Sequence, residues 1–281
     1  MKVAVAGAGT MGAGIAQACA VAGHEVLLFD TSEAARSRGI AAIKTSLARV
    51  VKKGSLSEDR KAAALSNITL IGDLDRFKNA GLVVEAIFEK ITAKRELWGK
   101  IDKIVADEAI LASNTSSLSI TELASFVTRP EQFCGLHFFN PVAVLPLVEV
   151  VRGLRTAPET IATVTAFVEG LGKTPIVCED KPGFIVNRLL VPYMNDAVHA
   201  LSEGVASAED SDKAMKRGAN MPIGPLALAD LVGLDVALAA GESLYNEFQD
   251  SKFRVAPLVR QMVRAGKLGR KTGEGFYKYE E

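Results

Sequence analysis

The chain has 281 residues, 48% of them hydrophobic and 23% charged, with Lys+Arg and Asp+Glu both at 33. That composition is ordinary for a folded chain of about two domains, and its balanced charge leaves no global field to draw it to nucleic acid or to an anionic membrane. Cys19, Cys134 and Cys178 are odd in number, far apart and in no C-x-x-C pair, which argues against a disulfide framework or a zinc site and for reduced thiols in a cytoplasmic protein; no metal site is legible.

Met1-Lys2 followed by a small apolar run could pass for a secretory signal, but Gly7, Gly9 and Gly12 break the run and Gln17 interrupts it. The same residues read as a buried strand over 2–6, a turn Gly7-Ala8-Gly9-Thr10-Met11-Gly12, a helix from Ala13 to Gly23, and a second strand over 25–29 closed by Asp30. In that context the turn is a dinucleotide fingerprint. Gly7 makes the turn, Gly9 lets the backbone approach a pyrophosphate, and Gly12 permits close packing of helix on strand. Asp30, 18 residues past Gly12, would meet the adenosine ribose, and a carboxylate there favours NAD over NADP. No apolar run elsewhere approaches a membrane span.

Residues 31–66 carry two helical patterns where one would normally precede the third strand. Ile40, Ile43, Leu47, Val50 and Val51 share a face, while Arg36, Arg38, Lys44, Arg49, Lys52 and Lys53 lie mostly off it. Gly54 ends this helix, and Ser55 with Glu58 offers a capping box for the next. The pattern is an inserted helical hairpin with a basic side, for which a solvated charged face is the plain alternative. Strands follow at 68–71, 82–85, 110–112, 133–137, 147–150 and 175–177, with a helix over 159–170, as a doubly wound, mostly parallel sheet requires. Ser113 to Ser119 lie just past one strand, in the crevice where such sheets bind ligands. Ser119 and Glu122 cap the following helix, which leaves Asn114 and Ser116 unassigned.

His137 stands at the end of an apolar run before Asn140-Pro141, and Glu149 follows twelve residues after it. A strand-end histidine with a carboxylate behind it can take and return a proton near neutral pH, although a packed histidine with a capped ring is the plainer reading of that stretch alone. After Asp180-Lys181-Pro182-Gly183 the pattern turns helical, so the domain boundary falls near Lys181, with 1–181 an NAD-binding Rossmann-type domain and 182–281 all-helical. A long helix begins at Phe184-Ile185-Val186-Asn187-Arg188, with Pro192 kinking it. Asn187 is polar in an apolar run, and a buried hydrogen bond between helices explains it as well as a functional role does. Residues 221–225 form a loop, helices occupy 226–248 and 257–265, and the glycine-rich 267–277 packs back through Phe276 and Tyr277.

Over its whole length the chain resembles the L-3-hydroxyacyl-CoA dehydrogenase family, and within it the stand-alone bacterial 3-hydroxybutyryl-CoA dehydrogenases. The motifs that carry the likeness are Gly7 to Gly12, Val84-Glu85-Ala86 with Glu89, Ser113 to Ser117, Gly135 to Pro141, Leu147 to Val150, Pro182 to Arg188, and Gly269 to Tyr277. The resemblance implies NAD-dependent oxidation of a short 3-hydroxyacyl-CoA and the reverse reduction. It implies His137 as acid/base, Glu149 as the group that orients and charge-stabilises it, and Ser116 and Asn187 as hydrogen-bond partners of the reacting oxygen region. It also implies Asp30, Glu89, Lys94, Asn114 and Lys271 as cofactor neighbours, Ser46 and Lys53 as CoA contacts, and the second domain as a substrate and homodimerisation domain. Ala143 and Pro146 depart from the proline and lysine that relatives often carry there, which bears on acyl preference. Two rivals are a same-fold dehydrogenase of a free sugar acid or hydroxy acid, and a non-catalytic, crystallin-like NAD-binding protein. Ser46 and Lys53 argue against the first, and the complete polar set against the second.

Overall fold

The run Lys2–Ala6 forms the first strand, β1, and it is an interior strand, third in order, of an eight-stranded sheet in this computed structural model, which describes residues 1–280. The chain divides into two compact units, Met1–Lys181 and Pro182–Glu281.

In the first unit β1 is followed by α1 (Thr10–Val21), β2 (Glu25–Phe29), α2 (Glu33–Lys52), α3 (Glu58–Ser66), β3 (Ile68–Ile71), β4 (Leu82–Glu85) and α4 (Ile91–Ile101). Then come β5 (Ile110–Ser113), α5 (Ile120–Ala124), β6 (Phe133–Phe138), β7 (Leu147–Arg152), α6 (Pro158–Gly170) and β8 (Thr174–Glu179). The strand order is β3-β2-β1-β4-β5-β6-β7-β8, and every neighbouring pair is parallel except β6 with β7. Parallel strands covered on both faces need unbroken apolar runs, which is why β4 and β6 are buried along their whole length. β8 lies at an edge and is largely exposed, so Pro175 is tolerated there.

Several boundaries differ from the sequence reading. α1 starts at Thr10 rather than Ala13 and ends at Val21, because the fingerprint turn feeds directly into the helix. The cap of α3 is Ser57, whose hydroxyl accepts the Arg60 N–H at 3.2 Å, and not Ser55, whose own N–H closes the α2 end on the Val50 carbonyl at 3.2 Å. The Ser119 cap is as expected, its hydroxyl accepting from Glu122 at 3.1 Å. Ile43 and Leu47 of α2 and Ala64 of α3 are buried in the same core as Ile15, Ala16 and Cys19 of α1, so the hairpin packs on the fingerprint helix.

The second unit contains α7 (Val186–Ser202), α8 (Ala208–Gly218), α9 (Pro225–Val232), α10 (Leu234–Phe248) and α11 (Pro257–Arg264). The apolar stretch over 226–248 is split by Gly233, whose φ of +99° suits glycine. Its glycine-rich end is held by a buried carboxylate: Asp230 accepts the N–H groups of Phe276 and Tyr277 and the hydroxyl of Tyr279, each at 3.0 Å. Gly269 and Gly275 leave room for this contact, since a Cβ would come within 2.3 Å of the Asp230 carbonyl and 2.0 Å of its carboxylate respectively. Among the described residues no helix is long and apolar enough to cross a membrane.

Candidate active site

The strand order reverses between β1 and β4, and the segments leaving their carboxyl ends meet there: Gly7 after β1 and Ala86 after β4. A groove of about 370 Å³ opens at this point, lined by Gly7, Gly9, Asp30, Thr31, Ile87 and Phe88 among others. The three fingerprint glycines do different work. Gly7 has φ +108° and a Cβ on it would stand 2.5 Å from the Ala86 carbonyl, while a Cβ on Gly12 would stand 1.8 Å from the Gly7 carbonyl. A Cβ on Gly9 would meet nothing within 4 Å. Packing therefore demands Gly7 and Gly12, whereas Gly9 leaves space in the groove. Gly9 is also the N-cap of α1 and supplies no side-chain acceptor, and Thr10 and Met11 form the first turn, so the N–H groups there suit an anion such as a pyrophosphate. The Asp30 carboxylate is set in place by the N–H of Ala8 at 3.0 Å and of Ser32 at 2.9 Å. These residues fit a dinucleotide.

His137 and Glu149 face each other directly across the antiparallel β6–β7 pair, and His137 Nδ1 lies 2.6 Å from Glu149 Oε2. His137 is 6% exposed and Glu149 fully buried, with the Phe139 ring against the imidazole at 4.4 Å between centroids. A carboxylate accepts here, so the pairing assigns the ring proton to Nδ1 and puts the lone pair on Nε2, in the ring plane at the opposite edge. Asn114, just past β5, fastens this strand end: its side-chain oxygen accepts the Phe138 N–H at 2.9 Å, and its own N–H donates to the Glu85 carbonyl at 2.8 Å.

Glu89, Lys94 and Ser116 are brought together in the same unit. Glu89 Oε1 accepts the N–H of Ser116 at 3.1 Å and of Ser117 at 3.3 Å, the Ser117 hydroxyl at 3.0 Å, and the Thr115 hydroxyl. Lys94 is 1% exposed, and its ammonium lies 3.1 Å from Glu89 and 2.7 Å from Glu85. Burial works to raise the Glu89 carboxyl, but Lys94 beside it and the hydrogen bonds it accepts outweigh burial and hold it below the ordinary glutamate range. Glu85 was not singled out as a site residue in the sequence. A carboxylate closing an otherwise apolar strand was the available signal, because such a group must find partners.

Ser46 lies half-buried on α2, and Lys53 is exposed at its C-cap. Asn187 and Lys271 belong to the second unit. Asn187 is half-buried in the first turn of α7, and Lys271 Nζ is ion-paired with Asp235 at 2.5 Å.

The sequence matches the NAD-binding domain of 3-hydroxyacyl-CoA dehydrogenase over residues 2–181 and the C-terminal domain of 3-hydroxyacyl-CoA dehydrogenase over residues 183–279. The crystal structure of (S)-3-hydroxybutyryl-CoA dehydrogenase from Ralstonia eutropha is 51% identical, with a TM-score of 0.97 over 100% of this chain and 99% of that one. A probable 3-hydroxybutyryl-CoA dehydrogenase of Deinococcus radiodurans is 49% identical over 99% of this chain and 100% of its own length. The mitochondrial hydroxyacyl-coenzyme A dehydrogenase of Sus scrofa is 46% identical over 99% of this chain and 91% of its own length.

Proposed function

Because the chain belongs to the 3-hydroxyacyl-CoA dehydrogenase family, we infer that it interconverts (S)-3-hydroxyacyl-CoA and 3-oxoacyl-CoA with NAD, its substrates being the short pair 3-hydroxybutyryl-CoA and acetoacetyl-CoA. The observation that carries the residue roles is the opposed His137–Glu149 pair. NAD held at the fingerprint turn would supply the hydride acceptor for oxidation of the hydroxyl-bearing carbon, and NADH the hydride donor for the reverse reduction. His137 removes the hydroxyl proton through Nε2 during oxidation and gives it back during reduction. Glu149 holds the imidazole in the tautomer that allows this and offsets the imidazolium that forms. Ser116 hydrogen-bonds the reacting oxygen, and Asn187, in the second unit, keeps the role the resemblance implies.

Gly7, Gly9, Thr10, Met11 and Gly12 would hold the pyrophosphate, and Asp30 the adenosine ribose. Glu89 and Asn114 are the further cofactor neighbours in the first unit, with Lys94 acting through Glu89. Lys271 keeps the cofactor role the resemblance implies. Ser46 and Lys53 take the CoA moiety, which separates this reading from a dehydrogenase of free hydroxy acids. The three free thiols support a cytoplasmic protein. Exposed apolar side chains on the second unit, Leu189, Val205, Leu231 and Val236, support a homodimer, and a light-scattering mass of one chain would count against it.

The testing experiment follows NADH absorbance with acetoacetyl-CoA and with free acetoacetate, and repeats both with NADPH. Turnover confined to the thioester is expected, with strong preference for NADH that Asp30→Ser narrows. Equal rates with the free acid would assign the protein to hydroxy acids, and equal use of NADPH would remove the role given to Asp30.

A further inference from the structure

Glu85 ends β4 with its carboxylate fully buried, and three donors converge on it: the Ile87 N–H at 2.8 Å, Lys94 Nζ at 2.7 Å and the Ser113 hydroxyl at 2.6 Å. We propose that Glu85 is a positioning residue for the dehydrogenation, holding the segment that carries Ser116 through Ser113 on one side and through Lys94 and Glu89 on the other. The proposal rests on the reading of Ser116 given above.

Two routes run from Glu85 and both end on residues 115–117. On the first, the Ser113 oxygen that donates to Glu85 accepts the Thr115 N–H at 3.2 Å. On the second, Lys94 reaches Glu89 at 3.1 Å, and Glu89 accepts the Ser116 N–H at 3.1 Å and the Ser117 hydroxyl at 3.0 Å. The charges fit this division. Two carboxylates share one ammonium, so Lys94 is balanced by the buried Glu85 while Glu89 retains acceptor capacity for the segment. A buried ion pair is a poor device for stability alone, since apolar side chains of similar volume usually do as well or better. Here its hydrogen bonds fix the one short segment that carries Ser116, and fixing a reacting group's position is what such a network does well.

The test is a double-mutant cycle on kcat for acetoacetyl-CoA reduction with the full-length protein, using Glu85→Gln, Ser116→Ala and their combination. Glu85→Gln keeps the volume and removes the charge. In the parent it should lower kcat roughly ten-fold, the scale of a modest misplacement of a reacting group. In the Ser116→Ala background it should lower kcat by less than about two-fold, because the group it positions is already gone. Losses that multiply would overturn the proposal and leave Glu85 with a structural role only. If Ser116→Ala alone left kcat unchanged, the reading of Ser116 would fall and Glu85 with it, which distinguishes the two failures. Should Glu85→Gln not fold, Ser113→Ala removes the other end of the same bond and is judged by the same cycle.

Discussion

At Glu89, burial and the Lys94 ammonium pull the carboxyl in opposite directions, and the ammonium with its accompanying hydrogen bonds prevails. The folded protein therefore binds this proton less readily than the unfolded chain does. Glu89 contributes stability that is fully present above about 4.5, its ordinary value, and is lost as pH falls through the lowered one. The Tm gap between the parent and Glu89→Gln should be constant from about pH 7 to 5 and should close below about 4.5, the unfolded-state value. A gap unchanged down to about pH 3 would show that the charge contributes nothing. Asp30 could be singled out from the sequence because an acid closing the second strand of a dinucleotide fingerprint is informative by itself, whereas His137 and Glu149 needed the family resemblance, since a packed histidine was the plainer reading of that stretch alone. That His137 opposes Glu149 could not be, since it depends on β6 and β7 running antiparallel in one register. Glu85 was hidden for a related reason: its partners come from α4 and β5, and no local pattern announces them.

Among the elements, the turn into α1 gives the sharpest contrast. Gly9 and Gly12 look alike in the fingerprint, yet a Cβ on Gly12 runs into the Gly7 carbonyl and one on Gly9 meets open space. Gly12→Ala should lose about 1–3 kcal/mol of stability or more through overpacking. Gly9→Ala should stay within about 0.5 kcal/mol of the parent while raising KM for NADH roughly ten-fold, the effect of about 1.4 kcal/mol of lost binding. Thermal melts and NADH titrations of both variants check this, and a Gly9→Ala that binds NADH normally would contradict the assignment of that space. The α2–α3 hairpin was legible from its period and glycine stop, but its second cap was misplaced by two residues because Ser55 and Ser57 are both plausible caps until the Arg60 N–H is located. Lys53→Ala should raise KM for acetoacetyl-CoA about two- to five-fold, in line with about 0.2–1 kcal/mol for an exposed ion pair. The penalty should shrink with salt and vanish with a truncated pantetheine thioester. An equal penalty with both substrates would assign Lys53 to the fold instead.

For the whole molecule, the change of period near Lys181 was readable because parallel strands and amphipathic helices leave different apolar patterns. The order of eight strands was not, nor the single antiparallel pair among them. The proposed proton transfer rests on that pair, since it turns two residues twelve apart into one His–Glu unit. The most direct measurement is kcat for acetoacetyl-CoA reduction in His137→Gln and Glu149→Gln, with NADH affinity measured in parallel by fluorescence. His137→Gln should reduce kcat by about 10²- to 10⁴-fold, the contribution of a general acid/base, and Glu149→Gln should lose most of kcat, with NADH affinity little changed in both. Activity within a few-fold of the parent in either variant would contradict the assignment of proton transfer to this pair.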